Sequence, residues 1–394
     1  MAETIFEANL DVARQIAHNV APPTKIVKIS VSQSPGFVLA EDILALTDLP
    51  PFNASRVDGY AVNGVGPWKI SGTNLAGQNL ELTLGLNEAV YVATGAPIPK
   101  QTTSVLKQED CAVQGNLVTL SHGQVEVNSN IRPLGIEAKA NEIVVPAGTK
   151  VTAPIAGFIA AAGFDVVSVY EKPIVDVLIF GDELVHTGQA GNGKVRDSIG
   201  PQLASWISHF GGQLGQISFV EDQLASHVES IKASTADLII TTGGTASGPV
   251  DHLHEAIEIC DGALLVDAVL VRPGYHQLIA QLPNKFLIGL PGNPQSAVIG
   301  LNILVANFIA GATTQKIREL KTKILNSDVS APKNEHRFVL ARELSSTQLS
   351  GVVEPVEYLD SSMLRGFVEA DGFAVIEPGG NDANSQVFWI PLPS

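Results

Sequence analysis

The feature that most constrains this chain is the stretch from Leu238 to Asp251, which reads L-I-I-T-T-G-G-T-A-S-G-P-V-D. Residues 238–240 form a short apolar run, the signature of a buried strand. The run stops at Gly243 and Gly244, a pair that tolerates positive φ and brings bare backbone N–H groups to the surface. Gly248 adds a third such point, and Asp251 stands at the start of a helical pattern, V-D-H-L-H-E-A-I. A glycine-rich loop between a strand and a helix N-terminus is a ready anion site, because unpaired amides and the helix dipole point the same way. An ordinary tight βα turn fits the same letters, and the rest of the chain decides between them.

Strand and helix patterns alternate around this stretch. Residues 174–180, 216–220 and 285–289 read as strands; 198–210, 223–233 and 295–309 read as helices, the first capped by Asp197 or Ser198 and stopped by Gly211-Gly212. Alternation of this kind predicts a doubly wound parallel sheet, whose ligands bind beyond the carboxyl ends of the strands. Three loops fall there: Gly181-Asp182-Glu183, Gly243 to Asp251, and Pro291-Gly292-Asn293-Pro294. They combine amides for an anion with carboxylates, Asp182, Glu183 and Asp251, suited to a magnesium ion or to acid–base work. Asp237 starts its strand at the opposite edge and reads as structural.

The remainder divides by pattern into an α/β multidomain chain. Residues 4–20 read as an amphipathic helix and 24–32 as a strand. Residues 46–137 are rich in short strands, glycine and proline, and read as a β-rich insert domain. Within it, Asp58-Gly59 is a turn signal, so Asp58 reads first as a turn aspartate satisfied by its own backbone. Thr94 either presents a hydroxyl to a ligand or caps a turn. Residues 152–162 form an alanine-rich helix with Thr152 as its N-cap, read as packing back on the N-terminal helix. The expected domains are therefore 1–45 plus 138–173 as a split N-terminal domain, 46–137, 174–312, and 313–394 as a small C-terminal β-barrel.

Composition narrows the ligand. The net charge of −16 over 394 residues argues against nonspecific binding to nucleic acid or to an anionic membrane. An anionic ligand would need local amides, a few arginines or lysines, or a divalent metal. The two cysteines, Cys111 and Cys260, form no Cys-x-x-Cys pair, which excludes a thiolate zinc site. The N-terminus has no signal-peptide core and no apolar run looks long enough to span a bilayer, so the expectation is a cytoplasmic protein.

Six stretches in order resemble the molybdopterin molybdenumtransferase family, the bacterial MoeA proteins and the gephyrin E domain. They are L-P-P-F-N-A-S-R-V-D-G-Y-A-V from Leu49, T-G-A-P-I-P from Thr94, G-D-E-L from Gly181, T-G-G-T-A-S-G-P-V-D from Thr242, R-P-G from Arg272, and L-P-G-N-P-Q-S-A from Leu290. Each is weak alone; together they cover nearly the whole chain. The resemblance implies four domains, a homodimer, and a reaction in which adenylylated molybdopterin and molybdate give molybdenum cofactor and AMP with the help of Mg2+. It implies contact with a molybdopterin adenylyltransferase or with molybdoenzymes. It assigns catalysis to Asp58, Thr94, Glu183 and Asp251, with Asp58, Glu183 and Asp251 as metal ligands. It assigns substrate binding to Asp182, Gly243, Gly244, Ser247, Gly248, Arg272, Pro291, Gly292, Asn293 and Pro294.

The chain departs from the family pattern where cations are usual. Arg272-Pro-Gly-Tyr-His stands in place of Lys-Pro-Gly-Lys-Pro, an upstream lysine falls on Ala268, and Tyr-Asp-Ser-Asn becomes Arg196-Asp-Ser-Ile199. Arg272 and Arg196 are candidates to restore the charge, since a guanidinium holds an oxyanion bidentately. The alternatives are a non-catalytic paralogue serving as scaffold or carrier, and a related adenylyltransferase.

Overall fold

The computed structural model describes residues 4–78, 82–246, 251–344, 351–357 and 360–393, which leaves Ser247 and Gly248 outside the described residues. The chain forms two compact units: Met1–Val27 with Gly36–Val38 and Tyr170–Ser394, and Lys28–Pro35 with Leu39–Val169.

The first unit is built on a seven-stranded sheet. Its strands are β1 (Ile5–Ala8), β2 (Ile174–Phe180), β3 (Gln213–Val220), β4 (Leu238–Thr242), β5 (Ala263–Val269), β6 (Leu278–Leu282) and β7 (Lys285–Leu290), in the order β1-β5-β6-β7-β4-β2-β3. The neighbours β7, β4, β2 and β3 are parallel, as strand–helix alternation requires. The sheet is nevertheless mixed, because β6 runs antiparallel to both β5 and β7. The turn Pro283-Asn284 folds β6 back on β7, a hairpin that the alternation pattern does not contain.

The N-terminal reading also needs correction. Residues 5–8 are a strand, and the helix begins only at Leu10, where Asn9 accepts the Val12 N–H at 2.9 Å. The sequence counted Ile5 and Phe6 into the helix; they belong instead to β1, which pairs in parallel with β5, and Phe6 remains 69% exposed. Helix Leu10–Val20 lays its alanine face, Ala13 and Ala17, on helix Ala306–Ala312. The backbones meet so closely there that a Cβ on Gly311 would lie 2.0 Å from the His18 carbonyl oxygen.

Leu290 feeds a continuous helical rod, Pro294–Gly300, a π-turn at Leu301–Val305, and Ala306–Ala312. By length and mean hydropathy this rod could cross a membrane, although Gln295, Ser296, Asn302 and Asn307 interrupt its apolar run, and 94% of it is buried inside the protein. It is the central core helix. Its asparagines each donate to a carbonyl one turn back, Asn302 to Val298 O and Asn307 to Ile303 O. At the C-terminus, five strands close into a barrel: Lys321–Leu325, His336–Glu343, Val352–Pro355, Gly372–Ile376 and Gln386–Pro391. Val339, Val353, Ala374 and Trp389 fill its interior. This is the expected small barrel.

The second unit centres on a six-stranded sheet containing Gly59–Val62, Trp68–Asn74, Glu88–Val92 and Ser104–Lys107. The segments flanking the β-rich part join each other, Ile143–Val145 pairing with Ile43–Leu44 and the Leu46 N–H donating to Ala162 O. Thr152 caps helix Ala153–Ala161 through the Ile155 N–H. That helix packs on the turn Val31–Gln33 of its own unit, and residues 10–20, expected beside it, fold within the first unit.

Candidate active site

In the first unit, the carboxyl ends of β2, β4 and β7 meet at a cavity of about 490 Å³. Glu183, Gly243, Gly292, Asn293 and Pro294 line it, so all three sequence-predicted loops reach one site. Asp182, Gly244 and Pro291 lie beside lining residues without lining the cavity themselves. Asp251 precedes the short helix Leu253–Ile259 and is likewise not a lining residue.

Local bonding explains how the loops are held. Asp182 and Asp222 exchange bonds, the Asp182 N–H to Asp222 Oδ2 at 2.9 Å and the Asp222 N–H to Asp182 Oδ1 at 3.3 Å, which ties one oxygen of the Asp182 carboxylate to the neighbouring loop. Glu183 sits exposed at the strand end, where its backbone carbonyl accepts the Val195 N–H. Residues Leu184–Val185 and Val195–Arg196 form a two-stranded ribbon that closes the loop between them. The glycine loop takes the conformation its letters demand, φ 86° at Gly243 and 67° at Gly244. A Cβ at Gly244 would come within 3.1 Å of the Phe180 ring. The Gly243 N–H, expected to hold a phosphate, instead donates to Leu290 O at 2.9 Å and ties β4 to β7.

Several lining residues were not among the sequence-predicted site residues. Asp197 is only 6% exposed, and its Oδ1 accepts the N–H groups of Ile199 and Gly200 at 3.0 and 2.9 Å. Its cap role was legible; its place in the cavity wall follows only from the sheet edge. His186 stacks on Phe219 and stands 3.7 Å from Asp197 Oδ2. Ser362 and Leu364 come from the segment between the third and fourth barrel strands, brought in by Gln295, whose Nε2 donates to Asp360 O and Met363 O. No local signal marks so distant a contact. Behind the glycine loop, His227 is fully buried and stacked on Phe180 with ring centroids 3.8 Å apart. Burial holds its imidazole below the usual pKa, and so neutral.

Arg272 stands elsewhere. Its Nε bonds Glu335 Oε2 at 2.5 Å and its guanidinium lies 5.6 Å from the Tyr275 ring, so a carboxylate already occupies this cation.

In the second unit, Asp58 and Thr94 form a pair. The Thr94 N–H and hydroxyl both donate to Asp58 Oδ1, at 2.6 and 2.9 Å. Asp58 is therefore not a turn aspartate satisfied by its own backbone: Gly59 begins a strand paired on both sides. The backbone N–H of Thr94, then its hydroxyl, hold the Asp58 carboxyl below the usual range, and the group is solvent-exposed.

Among the described residues, no three His, Cys, Asp or Glu side chains are arranged to hold a metal ion. Within the cavity, Glu183 is the carboxylate left uncommitted by the bonds above. A magnesium ion there would take most of its six oxygens from water and substrate phosphates, its usual habit.

Three family models match in order along the chain: the MoeA N-terminal region (domain I and II) over residues 8–163, the "Probable molybdopterin binding domain" over 176–311, and the MoeA C-terminal region (domain IV) over 323–392. A molybdopterin molybdenumtransferase of Staphylococcus epidermidis is 29% identical over 372 residues, spanning 90% of this chain and 88% of that protein. One of Staphylococcus aureus is 28% identical over 371 residues, with the same coverage. The crystal structure of a molybdopterin biosynthesis MoeA protein from Pyrococcus horikoshii superposes with a TM-score of 0.80 at 20% identity, over 98% of this chain and all of that one, which establishes the shared fold.

Proposed function

Because the chain belongs to the molybdopterin molybdenumtransferase (MoeA) family along almost its whole length, we propose that it inserts molybdate into adenylylated molybdopterin, forming molybdenum cofactor and releasing AMP. The observation that carries this reading is the cavity at the carboxyl edge of the sheet. It places glycine-rich backbone and the end of the core helix around one exposed carboxylate, Glu183. A pterin with its phosphates needs such a wall: backbone close enough to touch the anion, and few side chains in the way.

The roles of Glu183 and Asp58 follow from their environments, and that of Asp251 from its place in the family motif. Glu183 and Asp251 act on the reacting group or on a metal bound with the substrate phosphates. In the second unit, Asp58, whose carboxyl the Thr94 N–H and hydroxyl hold low, is an acceptor for metal or proton, and the Thr94 hydroxyl orients it. Gly244, Gly292 and Asn293 contribute backbone to substrate binding, and Asp182 holds the neighbouring loop, the one that carries Glu183, against Asp222. Magnesium, when bound, neutralises charge on the phosphates; the chain's own residues bind, orient and exclude water.

The test is AMP release by the purified chain from adenylylated molybdopterin, with molybdate and Mg2+ added or omitted. Release that requires both is expected, and Glu183→Ala should slow it by about 100-fold, the usual range for a lost acid–base or ligand group. The melting temperature should stay within a degree or two, because Glu183 is exposed. No molybdate-dependent AMP release from the wild-type chain overturns the reading.

A further inference from the structure

We infer that Arg196 is the residue that binds the substrate's anionic group in this cavity, replacing the cations this chain lacks at other positions. The inference rests on the proposed function and deepens it. Among the residues lining the cavity, Arg196 is the one Lys or Arg side chain, set against the carboxylates of Glu183 and Asp197. Among the described residues it forms no ion pair; its one hydrogen bond is Nη1 to Val185 O at 3.2 Å. That bond anchors one arm of the guanidinium and leaves its other N–H groups for a planar oxyanion.

Several competing donors are already spent, and those that remain, backbone N–H groups among them, are neutral. The N–H groups of Ile199 and Gly200, at the start of helix Gly200–Phe210, both donate to Asp197. The Gly243 N–H donates to Leu290 O. Arg272 is paired with Glu335. An anion entering this acidic cavity therefore has one side-chain cation to meet. Arg196 is also held in register by the ribbon Leu184–Val185 with Val195–Arg196, so its backbone is fixed before ligand arrives. Specificity follows from geometry: a guanidinium with one arm tied favours a phosphate or tetrahedral oxyanion that accepts two parallel bonds, and lysine would supply charge without that fork.

Calorimetric titration of the full chain with AMP, and separately with molybdate, tests this. The wild type should bind the anion that Arg196 recognises. Arg196→Ala should weaken that binding at least tenfold, and Arg196→Lys should recover only part of the loss, with unchanged melting temperature for both because the side chain is exposed. A loss confined to AMP assigns Arg196 to the phosphate; a loss confined to molybdate assigns it to the oxyanion. Binding by Arg196→Ala within twofold of wild type for both anions overturns the inference, as does a wild type that binds neither. The two readings fail separately. Arg196-dependent AMP binding without AMP release from the pterin substrate would sink the transferase reading alone. AMP release that is unimpaired in Arg196→Ala would sink only the role of Arg196.

Discussion

At the scale of single residues, the informative contrast is between Asp58 and Asp182. Both sit in Asp-containing loops that sequence marks as functional, and both are fixed by backbone N–H groups. Asp182 is locked in a reciprocal pair with Asp222. Each carboxylate accepts through Oδ1, but Asp182 takes one backbone N–H at 3.3 Å, whereas Asp58 takes both the N–H and the hydroxyl of Thr94, at 2.6 and 2.9 Å. The Asp58 carboxyl is held low chiefly by the Thr94 backbone N–H and secondly by the hydroxyl. A depressed carboxylate stabilises the fold at pH above its unfolded value, near 3.9, and that contribution is lost as pH falls through the lower folded value. Thr94→Val removes the hydroxyl and keeps the N–H. The Asp58 carboxyl should then titrate higher than in the wild type yet still below an ordinary aspartate, followed by carboxyl carbon-13 NMR. An unchanged titration would mean the hydroxyl does not act on the carboxylate at all.

At the scale of elements, the strands that carry the site are the apolar runs closed by glycine or proline, Ile174–Phe180, Leu238–Thr242 and Lys285–Leu290, and these are plain in sequence, as is part of the more exposed edge strand Gln213–Val220. Their loops carried the site with them, which is why Glu183, Gly243 and Asn293 could be placed before any coordinate. What stayed hidden was settled by partners far away in sequence. Leu278–Leu282 is antiparallel because a two-residue turn folds it onto β7. Residues 5–8 are a strand because β5, some 260 positions later, offers an edge. Ser362 joins the cavity where Gln295 holds its neighbours Asp360, Ser361 and Met363. The same logic yields a prediction at Gly59, which reads in sequence as part of a turn. In the sheet, a Cβ there would lie 1.8 Å from the Leu106 carbonyl oxygen, a backbone atom that cannot step aside. Gly59→Ala should destabilise by about 3 kcal/mol or more. Hydrogen exchange should show the loss as faster exchange at Ser104–Lys107, the strand pressed against it. Protection equal to wild type would show that the strands can separate without cost.

At the scale of the whole molecule, the acidic balance and the proposed substrate oppose each other. A chain of net charge −16 repels a pterin phosphate or molybdate on approach, and only a local cation draws it in at the end. These two forces have different ranges. Repulsion from the distributed surface charge acts over many ångströms and is screened once the Debye length shrinks to roughly 10 Å near 0.1 M salt. A bidentate guanidinium contact acts at hydrogen-bond distance in a partly enclosed cavity and is screened much less. Raising ionic strength from about 0.01 to 0.1 M, where the Debye length falls from roughly 30 to 10 Å, should therefore increase kcat/KM for the anionic substrate, the reverse of the behaviour of a basic protein that steers anions in. Above that range the gain should level off and then turn to a loss as the short-range contact begins to weaken. Arg196→Ala should keep the initial rise, which belongs to the surface, and lose activity across the whole range. The measurement is steady-state AMP release over a salt series at fixed Mg2+. A monotonic fall in kcat/KM from the lowest salt would mean that local positive potential at the cavity, not the overall charge, governs encounter, and the acidic surface would then carry no kinetic penalty.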